Sequence, residues 1–202
     1  KLINYGIDPK YDLVVSGQRV HLATAVEAVS ILDYETQSHR PSTLVDLYDA
    51  ARLADQLDNL HIFGQPFIAN EYSEDLYIHD INIAYAQLAG TRKHIVLAIS
   101  DVGHIDPIIS LFDMFLGKDG SFLRRPFCSF TGCPIISPLT FSNESLAVLI
   151  KMAQLGLPGE VTIAAQAGAT APSALAGAMV QTFAETLACL CVVNFIRPGM
   201  TI

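Results

Sequence analysis

Basic residues are scarce in this chain. Its 202 residues carry 12 Lys and Arg against 20 Asp and Glu, a formal net charge of −8 at pH 7. A nucleic-acid binder needs a basic patch or stripe, and adhesion to anionic lipid needs clustered Lys or Arg. The composition argues against both partners. Cysteine is scarce too. Cys128, Cys133, Cys189 and Cys191 stand in C-x4-C and C-x-C spacings, with no His-rich segment beside them. A zinc centre draws on C-x2-C pairs or an H-x3-H partner. We therefore expect no metal site, and four reduced thiols of a cytoplasmic protein. Charged residues make up 16% of the chain and hydrophobic ones 51%, which excludes a disordered polymer. The residues at hand show no signal-peptide pattern at a start that is itself not a Met, no internal low-complexity linker and no G-x-G-x-x-G fingerprint. The longest apolar stretch, residues 171–193, is rich in Ala and interrupted by Gln181, Thr182 and Glu185. It reads as a buried helix and not as a bilayer span. Lys1 stands where a Met would start a protein, and Thr201-Ile202 reads as the entry to a strand. We expect a piece of a longer protein.

Short apolar runs at 13–15, 20–22 and 29–32 predict strands, with a turn at Ser16-Gly17-Gln18 joining the first two. After Pro41 the pattern changes. Thr43 and Asp46 announce a helix to about residue 58, with Leu44, Leu47, Tyr48, Ala51 and Ala54 on one face. An apolar segment at 60–63 follows. Ser73 is the expected cap of a second helix, with Tyr77, Ile81, Ala84, Tyr85 and Leu88 facing inward. Strands are expected at 94–99, 127–133 and 161–165. Helices are expected at about 107–116, from Ser142 or Asn143 to Gly156, and from Pro172 at a first helical position to about Asn194. Strands alternating with helices mean a parallel α/β sheet, and fully apolar strands mean that both faces are covered. A (β/α)8 TIM barrel fits this order, but a whole barrel takes about 250 residues. The chain therefore divides into a β-ribbon or cap over 1–40 and an incomplete barrel of four to five βα units over 41–202.

Three segments carry a more specific signal: PSTLVDLYDAARLADQLDNL at 41–60, CPIISPLTFSNESLAVLIKMAQLGLP at 133–158, and QAGATAPSALAGAMVQTFAETLACLCVVNFIRPG at 166–199. From about Gly17 onward the chain resembles the trimethylamine methyltransferase (MttB-like) family. That family includes corrinoid-dependent enzymes acting on trimethylamine and relatives acting on quaternary amines such as glycine betaine. The resemblance implies a TIM-barrel methyltransferase that passes a methyl group from a methylated amine to the cobalt of a separate, cognate corrinoid protein. Cobalamin then comes with the partner, and no cofactor is tightly held by this chain.

The chemistry asks little of such an enzyme beyond positioning. A quaternary ammonium leaves as a neutral amine, and the nucleophile arrives with the partner, so the site must orient a cation and exclude water. Aromatic faces suit that cation. In a barrel the working residues lie at the carboxyl ends of strands. This selects Gln166, Thr170, Ser137 and Phe63, in that order, as substrate-binding candidates, with no catalytic residue assigned. Phe63 reads equally well as a core plug, and Ser137-Pro138 as a turn former. His104 near Asp101 reads better as a solvated loop histidine than as a general base. Cys133 has no assignable base to make it a nucleophile. Glu185, four residues after Gln181 on an apolar helix, must be paired, protonated or at an interface. A helix apolar on nearly all sides also needs a cover, so we expect a subunit or domain interface over 178–193, and a homo-oligomer. The alternative function is a non-catalytic quaternary-amine binding module, or a structural part of a methyltransferase complex. A barrel aldolase would need a Schiff-base lysine at a strand end, whereas Lys93 begins its strand.

Overall fold

The computed structural model describes residues 2–24 and 27–200. The chain divides into two compact units, Lys1–Ala98 with Asp106–Ser129, and Ile99–Ile105 with Phe130–Ile202.

In the first unit, β1 (Leu2–Asn4) pairs antiparallel with β2 (Leu13–Val15), and β3 (Ser30–Leu32) pairs antiparallel with β4 (His39–Pro41). The expected strand at 20–22 does not form. Its backbone is used singly: the Leu22 carbonyl accepts from the N–H groups of His61 and Ile62, and Val20 and Leu22 stay exposed. Helix α1 (Leu44–Gln56) begins where the sequence places it, in a Thr43/Asp46 capping box that satisfies two otherwise orphaned N–H groups. It buries Leu47, Ala51 and Ala54. Next come β5 (Ile62–Phe63), α2 (Leu76–Gly90) and β6 (His94–Ala98), with β5 and β6 parallel and Ile62 opposite His94.

Helix α2 is capped by Asp75, whose side chain accepts from the Ile78 N–H, and not by Ser73, which closes the preceding turn. Its buried face also differs from the expected one. Ile83, Ala84, Gln87 and Leu88 point inward, while Tyr77 and Tyr85 are exposed. The helix contacts both α1 and β6, which pulls two neighbouring faces inward and rotates the tyrosines out. At Gly90 the contact with α1 is so close that a Cβ would lie 2.5 Å from the Ala51 Cβ. Beyond α3 (Ile105–Phe115) and the short α4 (Ser121–Arg124), Phe112, Phe122 and Phe127 pack ring on ring at 4.9 to 5.1 Å. Strand β7 (Cys128–Gly132) begins in this unit.

Two of the polar groups buried here, Lys93 and His94, have structural work. Lys93 donates to the carbonyls of Ala54, Leu57 and Leu60 at 2.6 to 2.7 Å and so caps the carboxyl end of α1. His94 lies between the Tyr5 carbonyl and the Ser129 hydroxyl.

In the second unit the end of β7 leads into a small antiparallel hairpin, β8 (Ile135–Ile136) with β9 (Thr140–Phe141). Helix α5 (Asn143–Leu155) is capped by Ser142 and stopped by Gly156 at φ 71°, as its sequence predicts. Strand β10 (Gly159–Val161) pairs parallel with β7, Gly159 opposite Phe130. It ends earlier than the expected 161–165 run, because Thr162 makes the last bond to β7, at the Gly132 carbonyl. Helix α6 (Leu175–Ile196) starts after Ala174 and not at Pro172, which stays outside in the turn before it. Ile135, Leu149, Ala153, Cys189 and Val193 form the core of this unit.

Helix α6 departs most from expectation. It is not a buried helix: Leu175, Met179, Val180, Phe183, Leu187 and Phe195 are all exposed. By length and composition alone it could cross a membrane. The strand expected to begin after Gly199 falls on Thr201 and Ile202, outside the described residues. The architecture is mixed α/β, with parallel pairing and six α-helices among the described residues.

Candidate functional site

In parallel α/β folds, ligands meet the segments that leave the carboxyl ends of the strands. The second unit offers two such segments. Residues 133–141 leave β7 through the β8–β9 hairpin, whose turn contains the cis Ser137–Pro138 bond and Leu139 at φ 56°. A leucine in the left-handed region is strained, by about 1 kcal/mol or more. Residues 162–174 leave β10 and fold into a tight turn. The Gln166 carbonyl accepts from the N–H groups of Ala169, Thr170 and Ala171, while the Thr170 hydroxyl accepts from the Gln166 N–H at 2.9 Å. Gly168, at φ 81°, supplies the conformation this turn requires.

Helix α6 ties the two segments together. Gln181 Nε2 donates both to the Thr170 carbonyl at 2.8 Å and to Glu185 Oε1 at 3.0 Å. Glu185 Oε2 accepts from the Ser137 hydroxyl at 2.8 Å, and Oε1 also accepts from the Leu139 N–H at 3.0 Å. The Glu185 side chain is 0% exposed. Burial alone would raise its pKa, but the donors at Leu139, Ser137 and Gln181 outweigh burial and hold the carboxyl below its ordinary value. The group is therefore ionised at neutral pH and held by dipoles. Above it, Leu139, Pro172, Gly177, Val180 and Ala184 line an open, nearly apolar groove. A Cβ at Gly177 would come within 2.9 Å of the Pro172 Cβ, so the glycine permits that approach.

The family model for trimethylamine methyltransferase matches residues 2–202. The chain belongs to the trimethylamine methyltransferase family. It is 27% identical to trimethylamine methyltransferase MttB of Desulfitobacterium hafniense (strain DSM 10664 / DCB-2), over 92% of this chain and 37% of that protein. It is 29% identical to trimethylamine methyltransferase MttB1 of Methanosarcina mazei, over 98% of this chain and 41% of that protein. A glycine betaine methyltransferase of Desulfitobacterium hafniense (strain Y51) is 22% identical, over 95% and 40%. The chain thus spans about two fifths of the length of the curated relatives it matches.

Against this family background, three of the four residues chosen from sequence lie in one unit. Ser137 and Thr170 join the Glu185 network directly, and Gln166 forms the turn that presents Thr170. Phe63 lies in the first unit, wholly enclosed on β5. Sequence reasoning saw that Glu185 needed partners but missed two of the donors. The Ser137 hydroxyl and the Leu139 N–H stand 48 and 46 positions upstream, beyond any local pattern. The i, i+4 spacing of Gln181 and Glu185 was the available signal.

Other groups resolve into smaller roles. Asp101 caps the turn Val102–His104 by accepting from the Gly103 N–H at 2.7 Å. A cleft lined by Thr131, Ser145, Met152, Glu160 and Val161 has room for about one or two waters, too little for a methylated amine. Among the described residues, no three His, Cys, Asp or Glu side chains converge as metal ligands. Cys133 and Cys191 are exposed, and Cys128 and Cys189 are buried.

Proposed function

We propose that the protein transfers a methyl group from a methylated amine, trimethylamine or a quaternary amine such as glycine betaine, to the cobalt of a separate corrinoid protein. The observation that carries this reading is membership of the trimethylamine methyltransferase family across residues 2–202. Reduced cobalt, when the partner is bound, supplies the nucleophile. The work left to this chain is to hold a cation in line and keep water away. The segments leaving β7 and β10 suit that work. They carry Ser137, Gln166 and Thr170, and their Leu139 and Pro172 line an apolar groove that would hold the methyl groups away from water. The same reading takes the parallel strands as part of a (β/α)8 barrel. It also gives the exposed apolar side of α6 a subunit or domain partner over 178–193, in a homo-oligomer.

The test is methyl transfer by the full-length protein from trimethylamine or glycine betaine to reduced cobalamin, followed by the absorbance of methylcobalamin. We expect methylcobalamin to form with one of the two amines. Binding of either amine without transfer to cobalamin or to the corrinoid protein would favour a binding module instead.

A further inference from the structure

Glu185 is costly, and its cost points to a role. An ionised carboxylate removed from water gives up its hydration, and a well-packed apolar residue of the same volume is often as stable or more so. The helix core does not need this group. What the carboxylate alone achieves is a bridge: one oxygen to the Ser137 hydroxyl, the other to the Leu139 N–H and to Gln181, which in turn holds the Thr170 carbonyl. The bridged segments leave the carboxyl ends of adjacent, hydrogen-bonded strands, β7 and β10. One of them holds a strained leucine at φ 56° that the Leu139 N–H bond keeps in place.

We propose that Glu185 is a positioning residue for the methyl transfer, acting by clamping the 137–139 turn and the 166–171 turn to one face of α6. The proposal rests on the function proposed above. It assigns Glu185 no contact with the amine. Its effect passes through Ser137 and Thr170, and a displacement of about 1 Å at such a rim is worth up to about a hundredfold in rate.

Two substitutions in the full-length protein separate geometry from charge. Glu185→Gln keeps the shape. Its amide oxygen accepts from the Leu139 N–H and Gln181, and its amide nitrogen donates to the Ser137 oxygen once that hydroxyl turns. Glu185→Leu keeps the volume and removes every bond. We expect E185Q to retain kcat/KM within about threefold, and E185L to lose about tenfold or more while still melting cooperatively. Hydrogen exchange at the Leu139 amide should be fast in E185L and stay slow in E185Q. If E185L does not fold, Gln181→Met severs only the link to Thr170, and a several-fold fall in kcat/KM is expected from it. Wild-type rates in E185L, or in Q181M if that variant must stand in, overturn the proposal. So does an E185Q as defective as E185L. A wild-type protein that transfers no methyl group overturns the functional reading itself, and the proposal with it.

Discussion

Acid should loosen the first unit through a single histidine. His94 is 0% exposed. Its Nδ1 faces the Tyr5 carbonyl at 2.8 Å, which only accepts, so Nδ1 carries the proton. Its Nε2 is then the acceptor for the Ser129 hydroxyl at 2.7 Å. Burial pushes the imidazole down to about 4, against a weaker upward pull from the Tyr5 carbonyl. In the unfolded chain the same group titrates near 6.5. The folded state therefore binds this proton less readily than the unfolded one. The stability His94 contributes is complete above about pH 6.5 and is lost as pH falls toward 4. At pH 4.5 the interval is about two units, which at 1.36 kcal/mol per unit is about 3 kcal/mol. The assay compares the full-length protein with H94Q at pH 7 and pH 4.5, reading the opening free energy of the β6 amides by hydrogen exchange. Carboxylates titrate in both proteins and cancel in the difference. The stability gap between wild type and H94Q should close by about 3 kcal/mol on acidification. Equal losses in the two proteins would refute the reasoning, since neither burial nor tautomer would then matter.

Three further outcomes follow from the same geometry. Lys93→Met removes three charge-assisted bonds from the carboxyl end of α1 and should cost about 3 kcal/mol, read as a lower melting temperature. Gly90→Ala should destabilise by about 1–3 kcal/mol despite alanine's better helix propensity, because its Cβ meets the Ala51 Cβ, and a second change, Ala51→Gly, should recover part of that loss. Gln166→Ala should raise the KM for the amine and leave the melting temperature unchanged. The 166–171 turn uses the Gln166 backbone and not its exposed side chain.

What the sequence made legible was local. The start of α1 was readable because Thr43 and Asp46 are three residues apart and answer each other's N–H groups. The end of α5 was readable because Gly156 adopts a left-handed conformation that other residues avoid. Elements whose partners are remote were read less well. Strand β2 finds β1 upstream and not residues 20–22 downstream, since the pairing depends on where the 3-10 turn at Pro9–Tyr11 sends the chain. The face of α2 was misjudged because a one-sided pattern was assumed for a helix packed on two sides. Phe63 shows the same limit at the site. A residue at a strand end can face a ligand or fill the core, and only packing decides between them.

The third family segment, 166–199, turns out to be one physical object. Gln166, Gly168 and Thr170 make a turn closed by their own backbone and one hydroxyl. Pro172 needs Gly177 beneath it. Gln181 reaches back to that turn, and Glu185 reaches on to the turn after β8. Thr182 and Thr186 return their hydroxyls to α6 carbonyls one turn back, so they add no polar group to the groove. The Glu185 oxygens and the Gln181 amide nitrogen are taken up in the clamp. The Gln166 side-chain amide is different: it is exposed and takes no part in the clamp. Under the proposed function, the clamp would set where that amide is presented, and the Q166A measurement above tests whether the amine meets it there.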